Sequence, residues 1–292
     1  MINIEKQVTV SGFADEYSPS FDEQLAALGR LGVSHIELRG IDGVNVSDLT
    51  PEKLREVRSR LEAAGIRVSS IGSPIGKINI RDDFTQHMDK LKRTLEIQKE
   101  LSAPYIRMFS FYLPEGSTPA DCRGEVMDRL GAMVEEAKRW EAVLLHENEK
   151  AIYGDTAARC LDIMDELGCD NLRAVFDFAN FLEVGQPTME AFDMLRPYIE
   201  YVHIKDADEN KKIVPAGRGA GRVEDILHKL LSSGWEGVLS LEPHLTDFAG
   251  LAALEHDPKE RGSAMSPAEA WELALSSLRG ILAGLDGKGV PA

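Results

Sequence analysis

Four short apolar runs in the second half of the chain, AVLLHE, LRAVFD, IEYVH and GVLSLE, end on Glu147, Asp177, His203 and Glu242. Turn residues and then a helical pattern follow each run, so each reads as a strand feeding a helix. The four end residues lie 30, 26 and 39 residues apart, and a strand-helix-strand unit occupies roughly 30 residues or more. Strands joined in this way run parallel, with their C-terminal ends on one edge of the sheet. The spacing therefore brings three carboxylates and an imidazole to the same end of the fold.

The first half carries the same pattern. Candidate strands cover 8–13, 34–38, 67–71, 105–109, 142–147, 172–177, 199–203 and 237–242, with helical patterns between them and after the last. Thr50 caps a helix that starts on Pro51, shows Leu54, Val57, Leu61 and Ala64 on one face and stops at Gly65. Ser266, Pro267 and Glu269 give the last helix a capping-box start near Trp271. Eight such units imply an α/β fold, a single (β/α)8 barrel of the TIM type, over residues 1–292, with a frayed tail from about Gly284. An open dinucleotide-binding sheet is the alternative, but the first strand-helix turn at Ala14, Asp15 and Glu16 lacks the glycine fingerprint.

Charge narrows the partners. Lys+Arg 33 against Asp+Glu 49 leaves a formal charge of −16, which repels nucleic-acid backbones and favours small-molecule chemistry. No apolar stretch reaches membrane-spanning length, and the N-terminus reads as neither signal peptide nor anchor. Cys122, Cys160 and Cys169 form no paired framework, so they read as packing residues in a reducing cytoplasm.

The C-terminal ends of barrel strands carry the active site in this architecture. Glu147, Asp177, His203 and Glu242 offer mainly oxygen donors, a set suited to one divalent ion: Mn²⁺ first, then Mg²⁺, with Co²⁺ or Zn²⁺ also admissible. Any one of these acids alone would read as a helix cap or a solvated turn. Four in succession after apolar runs point to shared ligation.

ENEKAIYGD, FDFANF, YVHIKD and SLEPHL, together with ELRG, SPIGK and IRMFSFY, resemble the sugar phosphate isomerase/epimerase family, which shares the xylose isomerase-like TIM barrel. The resemblance spans about residues 8 to 245. It implies that Glu147, Asp177, His203 and Glu242 hold one metal and that Glu147 and Glu242 double as the acid/base pair. It departs at Asn180, where the related ketose 3-epimerases carry a histidine. Asn180 can hydrogen-bond a sugar hydroxyl but cannot titrate near neutrality.

The expected activity is thus a metal-dependent isomerase or epimerase of carbohydrate metabolism, acting on a ketose or sugar phosphate by proton abstraction next to a carbonyl and an enediolate. A C-glycoside deglycosidase-type lyase subunit with a small partner chain is the main alternative, and an endonuclease IV-like nuclease is disfavoured by charge and by the lack of further histidines. A homo-oligomer is equally compatible with the sequence. His146, Asn180, Lys205 and Arg107 are the candidate substrate contacts, although strand alternation sends His146 to the face opposite Glu147. Glu37, Lys77 and the aromatics Phe109, Phe111 and Tyr112 are further candidates for the pocket wall. The glycine-rich stretch from Pro215 to Gly221 is either a phosphate cradle or a tight turn. The long connection from Pro243 to Met265 suggests a lid or an interface.

Overall fold

Each apolar run forms a strand because both of its faces are covered, one by the barrel interior and the other by a helix. The computed structural model describes residues 1–251 and 264–289. Its eight main strands are β1 (Val8–Gly12), β2 (His35–Leu38), β3 (Arg67–Ile75), β4 (Tyr105–Met108), β5 (Val143–Glu147), β6 (Leu172–Asp177), β7 (Ile199–Ile204) and β8 (Gly237–Leu241). They pair in parallel in chain order from β2 to β8, and β8 pairs in turn with β1. No ladder joins β1 to β2, so the barrel is nearly closed. Most strand limits fall within a residue or two of expectation. β3 runs on to Ile75 through a register shift against β4.

The main helices are α1 (Phe21–Leu31), α2 (Pro51–Ala64), α3 (Phe84–Glu100), α4 (Pro119–Arg139), α5 (Ala157–Leu167), α6 (Thr188–Leu195), α7 (Val223–Ser232) and α8 (Pro267–Leu285). α2 starts as its sequence directs, with Thr50 accepting from the Lys53 N–H, and ends at Gly65 with φ +67°. Leu54, Val57 and Leu61 are buried in it, but Ala64 is exposed. α8 opens with a reciprocal capping box between Ser266 and Glu269. The buried Trp271 donates from Nε1 to the Phe13 carbonyl at 3.1 Å, fixing α8 against the end of β1. The chain is still helical at Gly284, Leu285 is buried, and the Ile2 N–H donates to the Lys288 carbonyl. Among the described residues no helix is long and apolar enough to cross a membrane.

Strand alternation stacks the barrel interior in layers. Leu145, Val175, Tyr201 and Val238 fill its lower part. Above them Tyr201 and Ser69 hydroxyls lie 2.9 Å apart, and Ser69 and Ser11 hydroxyls 2.6 Å apart. The next layer, at the C-terminal end, carries Glu37, Glu147, Asp177, His203 and Glu242.

One backbone crossing sets the wall of that layer. Gly76 follows β3 with φ +87°, and a Cβ there would stand 2.0 Å from the Phe109 carbonyl oxygen. The Phe109 N–H donates to the Ile75 carbonyl, and the Gly76 N–H donates to His87 Nε2 at 2.8 Å. Burial pushes His87 down to about 4, in keeping with a neutral ring that accepts at Nε2. Its folded pKa lies below the ordinary value, so its stabilising contribution is complete above about pH 6.5 and is lost as pH falls through about 4. The loss on acidification is expected to reach about 2 to 3 kcal/mol. Urea unfolding of the native protein and of His87→Gln between those limits checks it, since the variant should lose that part of the pH dependence.

Candidate metal centre

Glu147 and Asp177 are the last residues of β5 and β6, His203 is the last but one of β7, and Glu242 directly follows β8. Each shares the inward parity of the apolar residues below it: Leu145, Val175, Tyr201 and Val238. All four are buried, and each offers one donor atom within 4.8 Å of the other three. From His203 Nδ1 the distances are 3.0 Å to Glu147 Oε1, 3.5 Å to Glu242 Oε2 and 3.9 Å to Asp177 Oδ2.

Glu37 determines which imidazole nitrogen faces this cluster. Its Oε2 lies 3.1 Å from His203 Nε2 and accepts from the Ser240 hydroxyl at 2.6 Å. Once it has lost a proton and keeps the other on Nε2, toward Glu37, His203 would present Nδ1 as a lone-pair donor, the usual arrangement of a metal-ligating histidine backed by a carboxylate. Glu37→Gln is expected to weaken divalent-ion affinity by about 10- to 100-fold, with circular dichroism unchanged. Calorimetric titration with Mn²⁺ checks this, and unchanged affinity would remove Glu37 from the positioning role.

The cluster is short of positive charge. Burial alone would raise Glu147, but His203 and Arg107 hold it down at about 2. Glu242 is likewise kept well below the ordinary range, against its burial, by Lys205 and His244. Burial outweighs Lys205 at Asp177, pushing it up to about 8. His203 is raised well above its usual value, against burial, by Glu147 and Glu37. Lys205 Nζ stands 2.8 Å from Glu242 Oε2 and 3.0 Å from Asp177 Oδ2. Glu147 Oε2 and Asp177 Oδ2 are buried without a hydrogen bond. Arg107 Nη1 and Lys205 Nζ stand 3.2 and 3.0 Å from these oxygens, but out of hydrogen-bonding direction. Converging hard donors, two of them unsatisfied, fit a divalent cation.

A small cavity, open to solvent, lies over the cluster and is lined in part by Arg107, Asn180, Lys205, Glu242 and His244. The structure thus brings three of the four expected substrate contacts to the metal cluster. Asn180 Nδ2 donates to Glu147 Oε1 at 3.3 Å and to the Asn148 carbonyl at 2.8 Å. His146 is placed elsewhere: its ring faces the layer outside the strand, with Nε2 3.0 Å from the Ser110 hydroxyl and carbon and nitrogen atoms packed against Gly154. Of the aromatics, Phe109 flanks Arg107, whereas Phe111 packs with Phe84 and His87 in the core.

The glycine-rich stretch is a turn built around Asp206. The N–H groups of Gly217, Gly219 and Gly221 all donate to its carboxylate at 3.0 Å, so they are not available as a phosphate cradle. Four residues absent from the expected site stand at its edge. Arg39 binds Asp15 through two nitrogens and reaches Glu16 at 3.1 Å and Glu242 at 3.3 Å. His244, with φ +45°, donates its N–H to Glu16 and lies 3.6 Å from Glu242. Arg39 and His244 sit inside the ELRG and SLEPHL motifs, but their charged partners are remote in sequence.

A sequence profile described as xylose isomerase-like TIM barrel matches residues 25–280. The chain belongs to that family. The chain is also similar to a 3-dehydroshikimate dehydratase of Bacillus anthracis, 22% identical over 175 residues, 60% of this chain. The chain spans 62% of the length of that curated relative. The zinc-bound structure of the IOLI protein superposes with a TM-score of 0.75 at 16% identity, covering 96% of this chain and 100% of the other. A D-psicose 3-epimerase with D-tagatose from Clostridium cellulolyticum H10 gives 0.74 at 14%, covering 95% and 99%. At these identities the structural likeness shows the fold alone, and the buried Glu, Asp, His and Glu donors stand at the C-terminal end of that barrel's strands.

Proposed function

We propose that this xylose isomerase-like chain binds one divalent ion, Mn²⁺ foremost, through Glu147, Asp177, His203 and Glu242 and uses it to isomerise or epimerise a small carbohydrate. The observation that carries the reading is this buried donor set, two of whose members are glutamates, on β5 and just after β8, beneath a recess open to solvent. When bound, the ion supplies positive charge to a substrate carbonyl oxygen and a neighbouring hydroxyl.

The chain's own groups divide the remaining work. Glu147 and Glu242, both held ionised by their cationic neighbours, approach from well-separated strands and can act as base and acid. One takes the proton from the carbon next to the carbonyl and the other returns it. Return to the opposite face of the same carbon epimerises; delivery to the adjacent carbon isomerises. Each glutamate must use an oxygen not committed to the metal, and Glu147 Oε2 is an oxygen without a hydrogen bond. In this reading Asn180 orients a hydroxyl, and Lys205 and Arg107 hold substrate oxygens.

A second reading is elimination, since loss of water or of an aglycone can begin with the same proton abstraction; the dehydratase similar to this chain supports keeping it. Incubation of the Mn²⁺-loaded protein with a panel of ketoses and keto acids in D₂O separates the two. Deuterium on a carbon beside the carbonyl of a rearranged sugar of unchanged formula is expected. Product with the mass of a dehydrated or cleaved compound, with no rearranged sugar, would replace the isomerase reading by the lyase one.

A further inference from the structure

We propose that the substrate carries a carboxylate, and that Arg107 and Lys205 receive it beside the metal centre; this rests on the metal-centre reading above and narrows its substrate class to hydroxylated keto acids. Five cationic side chains line the cavity, those of Arg39, Lys77, Arg107, Lys150 and Lys205. Three are engaged with carboxylates outside the metal cluster: Lys77 with Glu149 at 3.0 Å, Lys150 with Glu183 at 3.0 Å, and Arg39 with Asp15 and Glu16. The carboxylates next to Arg107 and Lys205, by contrast, are Glu147, Asp177 and Glu242, the metal donors themselves. A cation bound by those carboxylates weakens their hold on both side chains.

Arg107 is also poised geometrically. It is 4% exposed and its Nε has no hydrogen-bond partner, an arrangement that costs free energy unless something else satisfies that donor. Its guanidinium is held between the rings of Phe13 and Phe109, at 4.9 and 5.0 Å, which fixes the plane it offers. Its Nη2 donates to the Gly72 carbonyl at 3.4 Å and its Nη1 faces Glu147 Oε2 at 3.2 Å, so a carboxylate that takes over from Glu147 gains a charge-assisted bond from the guanidinium and another from the Lys205 ammonium. Phosphate fits less well, because the backbone N–H groups that would cradle it are spent on Asp206.

Three probes share one ketose frame and differ at the last carbon: D-fructose, D-fructuronate and D-fructose 6-phosphate. Calorimetry on the Mn²⁺-loaded protein is expected to show D-fructuronate binding at least about tenfold more tightly than D-fructose, as a charge-assisted bond implies, with D-fructose 6-phosphate within about threefold of D-fructose. Arg107→Gln should erase the preference for the acid; if that variant does not load Mn²⁺, Lys205→Gln takes its place and should reduce the preference. Equal or weaker binding of D-fructuronate, no binding of it at all, a preference for the phosphate, or a preference surviving in the metal-loaded variants overturns the inference. Because binding is read without turnover, tight D-fructuronate binding with no deuterium exchange would sink the isomerase reading alone.

Discussion

Glu242→Gln is expected to lower turnover by about 10²- to 10⁴-fold, the range for loss of a general acid or base, while the barrel stays folded. Glutamine keeps the volume at the end of β8 but removes the charge that faces Lys205 at 2.8 Å, Arg39 at 3.3 Å and His203 at 3.5 Å. It also removes the proton capacity. Because Glu242 is also a metal donor, the metal content of the variant must be measured beside its rate. Retained metal with lost turnover assigns Glu242 to proton transfer; metal and turnover lost together restrict it to ligation. A folded, metal-bearing variant with near-normal turnover would take Glu242 out of the acid/base pair.

The features legible in the sequence were those fixed by local periodicity. An apolar run of five or six residues and the polar residue that ends it define both a strand and the inward parity of its last side chain, so Glu147, Asp177, His203 and Glu242 could be placed together from spacing alone. The same parity separated His146 from Glu147, and its ring does lie on the other side, against Ser110 and Gly154. Long-range pairing was not legible. Glu37 meets His203 across 166 residues, Arg39 meets Glu242 across 203, and Glu16 takes the His244 N–H across 228. Each of these contacts depends on the barrel bringing β1 and β2 round to β7 and β8, a closure that no short motif encodes. The glycine-rich stretch could not be decided from sequence because its N–H acceptor, Asp206, belongs to the preceding strand's exit. Of the long connection from Pro243 to Met265, residues 252–263 lie outside the described residues.

His203→Ala should have the largest effect on metal binding. It deletes the nitrogen donor and takes from Glu37 Oε2 its imidazole partner, leaving the Ser240 hydroxyl bond in place. The expected loss of Mn²⁺ affinity is more than about 100-fold, beyond the loss typical of an outer hydrogen-bond partner. Protons compete for the same donors. Asp177 is pushed up to about 8 and His203 is also raised, so uptake must release protons and Mn²⁺ affinity should increase from about pH 6 to about pH 8.

Elemental analysis of native protein loaded with Mn²⁺ and freed of excess ion, run beside His203→Ala, tests the metal centre most directly. About one equivalent per native chain and a large loss in the variant are expected. A native protein that holds no ion, or a folded His203→Ala protein that still holds one equivalent with native affinity, would contradict the assignment of these four strand ends as the metal centre.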